Sequence, residues 1–176
     1  LCVIDEGLAW APGSFFDQDG NPVPACSRGT LARIESRLAA AGLSAAVGHE
    51  MEFLLVDPAG DRLPGDLWAQ YGLAGVLEHE GFVRDVIAAV TAAGVPIEQF
   101  HPEYGVNQFE ISLAPASPVA AADRLILTRI LVSRVARTYG LRVSLSPVPF
   151  AGSVGSGAHQ HFSLWRGQSP VFSGGT

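Results

Sequence analysis

The stretch Gly48-His49-Glu50-Met51-Glu52-Phe53-Leu54-Leu55-Val56 decides how this chain is read. Side chains alternate faces along a strand, so Glu50 and Glu52 point one way while Met51, Phe53 and Leu55 point the other. Two further stretches repeat the pattern. In Glu103-Tyr104-Gly105-Val106-Asn107-Gln108-Phe109-Glu110-Ile111, Gln108 and Glu110 share a face opposite Phe109 and Ile111. In Gly155-Ser156-Gly157-Ala158-His159-Gln160-His161-Phe162-Ser163-Leu164-Trp165, His159 and His161 share a face opposite Phe162 and Leu164. The expected product is a sheet that buries one face and gathers carboxylates and imidazoles on the other. Carboxylates crowded in this way repel one another unless a cation sits among them.

The flanking sequence supplies helices between those strands. Leu31, Ile34 and Leu38 recur at helical spacing within Arg28 to Leu43, and Gly42 marks the stop. Phe82, Val86, Ala89 and Val90 predict a second helix over Phe82 to Ala93, closed by Gly94. The longest helix is expected from Val119 to Tyr139, with Ala122, Leu125, Ile126, Ile130, Val132 and Val135 as its apolar stripe. Strands are expected at Val47 to Val56, Ile97 to His101, Val106 to Leu113, Arg142 to Ser146 and His159 to Trp165. Residues 1–24 read as a loop, a linker or the remnant edge of a preceding region, residues 61–81 as irregular, and Ala114-Pro115-Ala116-Ser117-Pro118 as a break. Strands that alternate in polarity favour an antiparallel sheet with one solvent-lined face over a doubly wound parallel sheet. The fold class is therefore α+β, an antiparallel β-sheet with helices on one side.

Composition narrows the function classes. The chain has 176 residues, 48% of them hydrophobic, enough for one sizeable core and too apolar for a disordered segment. Seventeen acidic residues against eleven basic ones give a formal charge of −6. That balance provides no electrostatic reason to bind nucleic acid or an anionic membrane. The longest uncharged run, Val143 to Trp165, contains prolines, glycines and two histidines and is not a membrane span. Cys2 and Cys26 form no CxxC pair, which fits a reducing, cytoplasmic setting. Leu1-Cys2-Val3-Ile4 runs straight into Asp5 and Glu6 without a basic segment, so no secretory leader is read here, and a first residue other than Met suggests part of a longer protein.

Taken singly, each motif has a plain reading. Glu50 and Glu52 suit a solvated strand face, and Glu103 and Glu110 suit surface acids. His159-Gln160-His161 is more telling, because two imidazoles on one strand face are what many metal sites need. A cupin-like barrel would add a Glu shortly afterwards, and Phe162-Ser163-Leu164-Trp165-Arg166 contains none. Gly152-Ser153-Val154-Gly155-Ser156-Gly157 could hold an anion through backbone N–H groups, although it lacks the ending of a P-loop. His49 and His79 stand alone and read as structural or exposed, while His101, two residues before Glu103, stays open.

In order, GHEMEF, HPEYGVNQFE, ADRLILTRILVSRVA and SPVPFAGSVGSGAHQHFSLW resemble the catalytic domain of the glutamine synthetase family, from about Arg28 to the end. The resemblance implies a partial catalytic domain over residues 25–176 and an ATP-dependent ligase that makes a γ-glutamyl amide through an acyl phosphate. Glutamate and ammonia or an amine would be its substrates, and the full-length protein would form a homo-oligomer. It implies that Glu52, Glu103 and Glu110 bind one Mg²⁺ or Mn²⁺, and that Glu50 and His159 bind a second. It places His161, His101 and Ser163 beside the nucleotide and Gly155 in the loop that holds the amino-acid substrate. Hard carboxylate oxygens suit such ions, and two of them can neutralise ATP phosphates. The family's downstream arginines and the last ligand of the second ion fall outside these residues, so no turnover is expected from residues 1–176 alone. Three positions depart from the pattern: Val148 where lysine is usual, Val154 where asparagine is usual, and Asn107 where glycine is common. The two valines keep open a non-catalytic relative with a structural or binding role.

Overall fold

The computed structural model describes residues 2–5, 7–65 and 67–173. Leu1, Glu6, Asp66 and residues 174–176, which fall in the expected terminal and irregular segments, lie outside the described residues. Part of the segment read as a loop or edge is a hairpin of β1 (Cys2–Asp5) and β2 (Leu8–Trp10), and Cys2, Ile4 and Trp10 pack against the core. Then follow α1 (Ser27–Ala40), β3 (Ser44–Val56), α2 (Leu73–Glu78), α3 (Glu80–Ala92), β4 (Ile97–Pro102) and β5 (Gln108–Ala116). The chain continues through α4 (Pro118–Thr138), β6 (Arg142–Ser144), β7 (Ala158–Arg166) and β8 (Ser169–Pro170).

The large sheet runs β4-β5-β3-β7-β8, with β6 also paired to β3, and every pairing is antiparallel. The strand with the decisive alternation is thus the centre of the sheet. It pairs with β5 along one edge and with β7 and then β6 along the other. Its odd positions Met51, Phe53 and Leu55 are buried with Phe109 and Ile111 of β5 beneath α3 and α4. Phe53 lies with its ring centroid 6.0 Å from Phe109 and 6.3 Å from Phe82. Such rings bury large areas and add edge-to-face attraction. β5 runs into the expected break, through Pro115 to Ala116, where a bulge sets the three steps from Leu113 to Ala116 against two on β3 and accommodates the proline.

Two expected apolar stripes are corrected. On α4 the buried residues are Ala121, Leu127, Thr128, Leu131, Val132 and Ala136, whereas Ile126 is exposed. This helix is apolar on more than one face, so spacing alone leaves its rotation open. On α1 no residue is fully buried, and Ile34 is exposed. The apolar face of β7 is also uncovered: Phe162 is 60% exposed and rests on Phe172 at 5.7 Å. α1 and α4 stop short of it and leave a groove of about 340 Å³ lined by Leu31, Leu38, Val47 and Phe162. No described helix is long and apolar enough to cross a membrane.

Helix α1 is tied to α4 by polar contacts. Arg28 makes a two-pronged pair with Asp123 at 3.0 and 2.9 Å. Ser117, the residue before α4, makes no side-chain cap, and the Val119 N–H instead donates to Glu35 Oε2 at 3.2 Å. A carboxylate there satisfies an orphan donor and meets the positive end of the helix dipole. Glu35→Ala should lower unfolding stability by about 1 kcal/mol, the usual cost of a lost N-terminal cap. An unchanged urea midpoint would show that the contact contributes nothing.

Candidate functional site

Cross-strand partners point to the same face, so the register of the sheet builds the site. Glu52 stands across from Glu110 and Leu54 across from Gln108. Glu50 stands across from His159, and Gly48 from His161. His101 of β4 stands across from Glu110. Glu50, Glu52, His101, Glu110 and His159, from four neighbouring strands, therefore meet on the face opposite the core, joined by Glu103 just past β4. They line an open cavity of about 580 Å³ that Tyr71, Gln108, Val154 and Gly155 help to enclose. No arginine lines it, and the chain has no lysine.

The ligand atoms cluster in two triads that share Glu110. Glu50, Glu110 and His159 offer atoms within 4.8 Å of one another, and so do His101, Glu103 and Glu110. Within the first, His159 Nδ1 is 3.0 Å from Glu50 Oε2, and His161 Nε2 is 3.2 Å from the same oxygen. Within the second, His101 reaches Glu103 at 3.4 Å and Glu110 at 3.5 Å. Glu103 and Glu110 are buried. Burial, and then the charges of Glu52 and Glu110, push the Glu103 carboxyl above its ordinary range. Burial, and then the charge of Glu50, does the same to Glu110. Glu50 moves the other way, because hydrogen bonds with His161 and His159 favour its charged form. The Glu50 contact in turn raises His159. Two carboxylates whose protons are held by burial and by neighbouring acids, with hard oxygens converging, are a donor set that fits divalent cations.

Glu52 opens on the same cavity but is held differently. Gln108 Nε2 donates to Glu52 Oε2 at 3.0 Å, to the Gly155 carbonyl at 2.8 Å and to Ser156 Oγ at 3.2 Å. Its Oε1 accepts the Gly105 N–H at 2.8 Å. One buried amide thus fastens the glycine–serine loop to the sheet beside the acids. Gly157 is where the loop comes closest. A Cβ there would lie 2.6 Å from Glu52 Oε1 and 2.8 Å from His159 Nε2, so any side chain would displace a carboxylate or an imidazole. Asn107 adopts φ +62°, a conformation that glycine takes freely and asparagine tolerates. Its side chain bonds His79 at 2.7 Å and the Leu63 and Pro64 carbonyls at 3.2 Å, which makes His79 structural.

All five residues expected to bind cations, Glu50, Glu52, Glu103, Glu110 and His159, line this one cavity, and Gly155 does too. The atoms that converge most closely are not grouped as the resemblance implied, since Glu52 is in neither triad and His101 is in one. His161 is exposed at the cavity edge against Glu50. Ser163 lies farther along β7, where Trp165 Nε1 donates to its hydroxyl at 2.8 Å. His49 sits on the helix face, and its partial burial lowers its pKa. Sequence reading missed the latch made by Gln108, although its shared face with Glu110 was the available signal. It also missed Tyr71, whose ring stands edge-on 5.1 Å from His101. Nothing in the irregular stretch around Tyr71 marks that contact.

Comparisons with known proteins agree with one another. The family model for the glutamine synthetase catalytic domain matches residues 24–176. The gamma-glutamylpolyamine synthetase GlnA3 of Streptomyces coelicolor is 40% identical over 100% of this chain and 39% of its own length. A glutamine synthetase of Mycolicibacterium smegmatis is 34% identical over 88% of this chain and 35% of its own. The chain therefore spans less than two-fifths of the length of these relatives. Among solved structures, a novel glutamine synthase homolog superposes with TM-score 0.82 at 37% identity, over 90% of this chain and 37% of that one. Ligand-free GmaS superposes equally well, at TM-score 0.82 and 28% identity, over 90% of this chain and 39% of its own. A domain match over most of its length, with relatives at this identity, makes the chain a member of the glutamine synthetase family that carries part of the catalytic domain.

Proposed function

We propose that these residues form the cation-binding part of an ATP-dependent ligase that joins the γ-carboxylate of glutamate to ammonia or an amine. The observation that carries this reading is the acidic cavity, with two ligand triads sharing Glu110 and no arginine or lysine in its lining. Glu103, Glu110 and His101 would hold one Mg²⁺ or Mn²⁺, with Glu52 beside them, and Glu50 and His159 would hold a second. Bound there, the ions supply charge neutralisation to ATP phosphates. In the reaction, a glutamate γ-carboxylate oxygen bonds to the terminal phosphorus of ATP, and ADP leaves. The amine nitrogen then bonds to the acyl carbon, phosphate leaves and the nitrogen loses a proton. Gln108 keeps the Gly155 carbonyl and the Glu52 carboxylate at fixed positions, so the substrate loop and the cation ligands are pre-set relative to each other. His161, exposed at the edge of the cavity, suits contact with the nucleotide. The full-length protein would work as a homo-oligomer in the cytoplasm.

Exposed Val148 and Val154, where the family usually has lysine and asparagine, favour a second reading, a relative that binds cations without catalysis. Glutamate- and ATP-dependent phosphate release by the full-length parent separates the two. Release above a Glu52→Ala control supports the ligase, and none supports the binding protein.

Glu110→Gln should have opposite effects on affinity and fold. It removes an anionic ligand shared by both triads, so Mn²⁺ affinity should fall roughly tenfold or more. It also relieves repulsion in the buried cluster, so the cation-free variant should melt at a higher temperature than the parent. Calorimetric titration and thermal melts check both, and unaltered Mn²⁺ binding would sink the cation assignment.

The stabilisation by Mg²⁺ should depend on pH. Glu103 and Glu110 hold their protons more tightly in the folded chain than in the unfolded one. Without cations, the fold therefore loses stability as pH rises from the ordinary carboxylate range through their raised values. Bound cations oppose that loss. At a hundredfold excess over Kd they stabilise by about 2.7 kcal/mol. The gain in Tm should be larger at about pH 7.5 than at about pH 4.5, where ordinary carboxylates are half-protonated. Equal gains at both pH values would contradict it.

A further inference from the structure

Beside the acidic cavity, on the same face of the sheet, lies a second chamber of about 350 Å³. Along β3 the face that carries Glu50 and Glu52 continues to Leu54, and Leu54 is part of the floor of this chamber. Leu63, Val106, Pro149 and Phe150 supply other walls. Val154 lines both chambers and is the partition between them. Gly105 makes room for it, since a Cβ on Gly105 would lie 2.7 Å from a Val154 methyl. Gln108 holds Gly105 on one side of the partition and Gly155 on the other. The charged side chain in the apolar chamber is Arg62, whose guanidinium sits 4.7 Å over the Phe150 ring.

We propose that this chamber is a subsite for the aliphatic chain of an acceptor amine, with Val154 as the specificity-determining partition and Arg62 excluding a second cationic group. The inference rests on the ligase reading above and names the class of its amine: a primary amine with an uncharged alkyl chain. The physical argument is polarity. The cavity on one side of Val154 is polar and suits the amine nitrogen, and leucine, valine, proline and phenylalanine side chains on the other favour methylenes. A diamine or polyamine reaching through would carry its far ammonium into the apolar chamber beside the Arg62 guanidinium, losing hydration and meeting a like charge.

The test uses the whole chain in Mg²⁺ with n-propylamine, n-butylamine, n-pentylamine and n-hexylamine as probes, read on the methyl resonances of Leu54, Leu63, Val106 and Val154. Affinity should rise roughly fourfold per added methylene until the chamber is filled. 1,6-Diaminohexane should bind at least tenfold more weakly than n-hexylamine, and Arg62→Gln should narrow that gap. Val154→Phe, with its amide spectrum showing an intact fold, should abolish the dependence on chain length. Methyls that n-hexylamine leaves unmoved, or a diamine that binds as tightly as the monoamine, would overturn the proposal. The metal reading fails separately: Mg²⁺ titration in the same samples reports on the acidic cavity. Chain-length dependence without Mg²⁺ binding would sink the ligase reading while leaving the apolar subsite standing.

Discussion

The register of β3 against β5 and β7 is the constraint on which the rest depends. Because Glu52 pairs with Glu110 and Glu50 with His159, each odd-numbered neighbour on β3 faces the helices. A slip by one residue would carry Met51, Phe53 and Leu55 to the open face and push the glutamates into a core of phenylalanine and valine. The cost of burying unpaired carboxylates makes that slip prohibitive. The same hydrophobic packing that stabilises the fold therefore fixes the positions of the acids. The aromatic contacts of Phe53 and Phe109 lie directly behind Glu52 and Glu110, so the site is mounted on the packed core.

A cavity built this way is electrostatically expensive. Glu103 and Glu110 are buried beside other acids, and the side chains that offset them are the histidines His101, His159 and His161. Sites that accept strain of this kind are characteristically functional. A divalent cation among these oxygens would relieve the repulsion.

Gln108 links sheet and loop. A neutral amide can donate and accept at once, and it does both here by bonding Gly105, Gly155, Ser156 and Glu52. A glutamate in its place would lose the donor and add a negative charge to a crowded site. The loop is consequently held near the acids although its own residues are mostly glycine and serine. Gly157 is the point where that approach is closest, and a side chain there would displace Glu52 or His159.

Local periodicity carried much of this. The alternation of residues 48–56, 108–111 and 159–165 shows from the sequence alone which side chains share a face, and the antiparallel α+β fold follows from strands of that polarity. The gathering of Glu50, Glu52, Glu103, Glu110 and His159 was legible through the order of four motifs. Other features were not legible, for a physical reason: period gives the face of an element, not its partner or its rotation against a core. Helix α4 is apolar around most of its surface, so only contact with α3 and β3 chose Leu127, Leu131 and Ala136 over Ile126 as its buried side. The apolar face of β7 read as core, yet neither α1 nor α4 extends over Phe162. The sharing of Glu110 between two triads, the latch at Gln108 and the chamber behind Val154 all join residues about 40 to 110 positions apart. Sequence by itself determined which side chains could meet; the pairing register, fixed by long-range burial, decided which of them do.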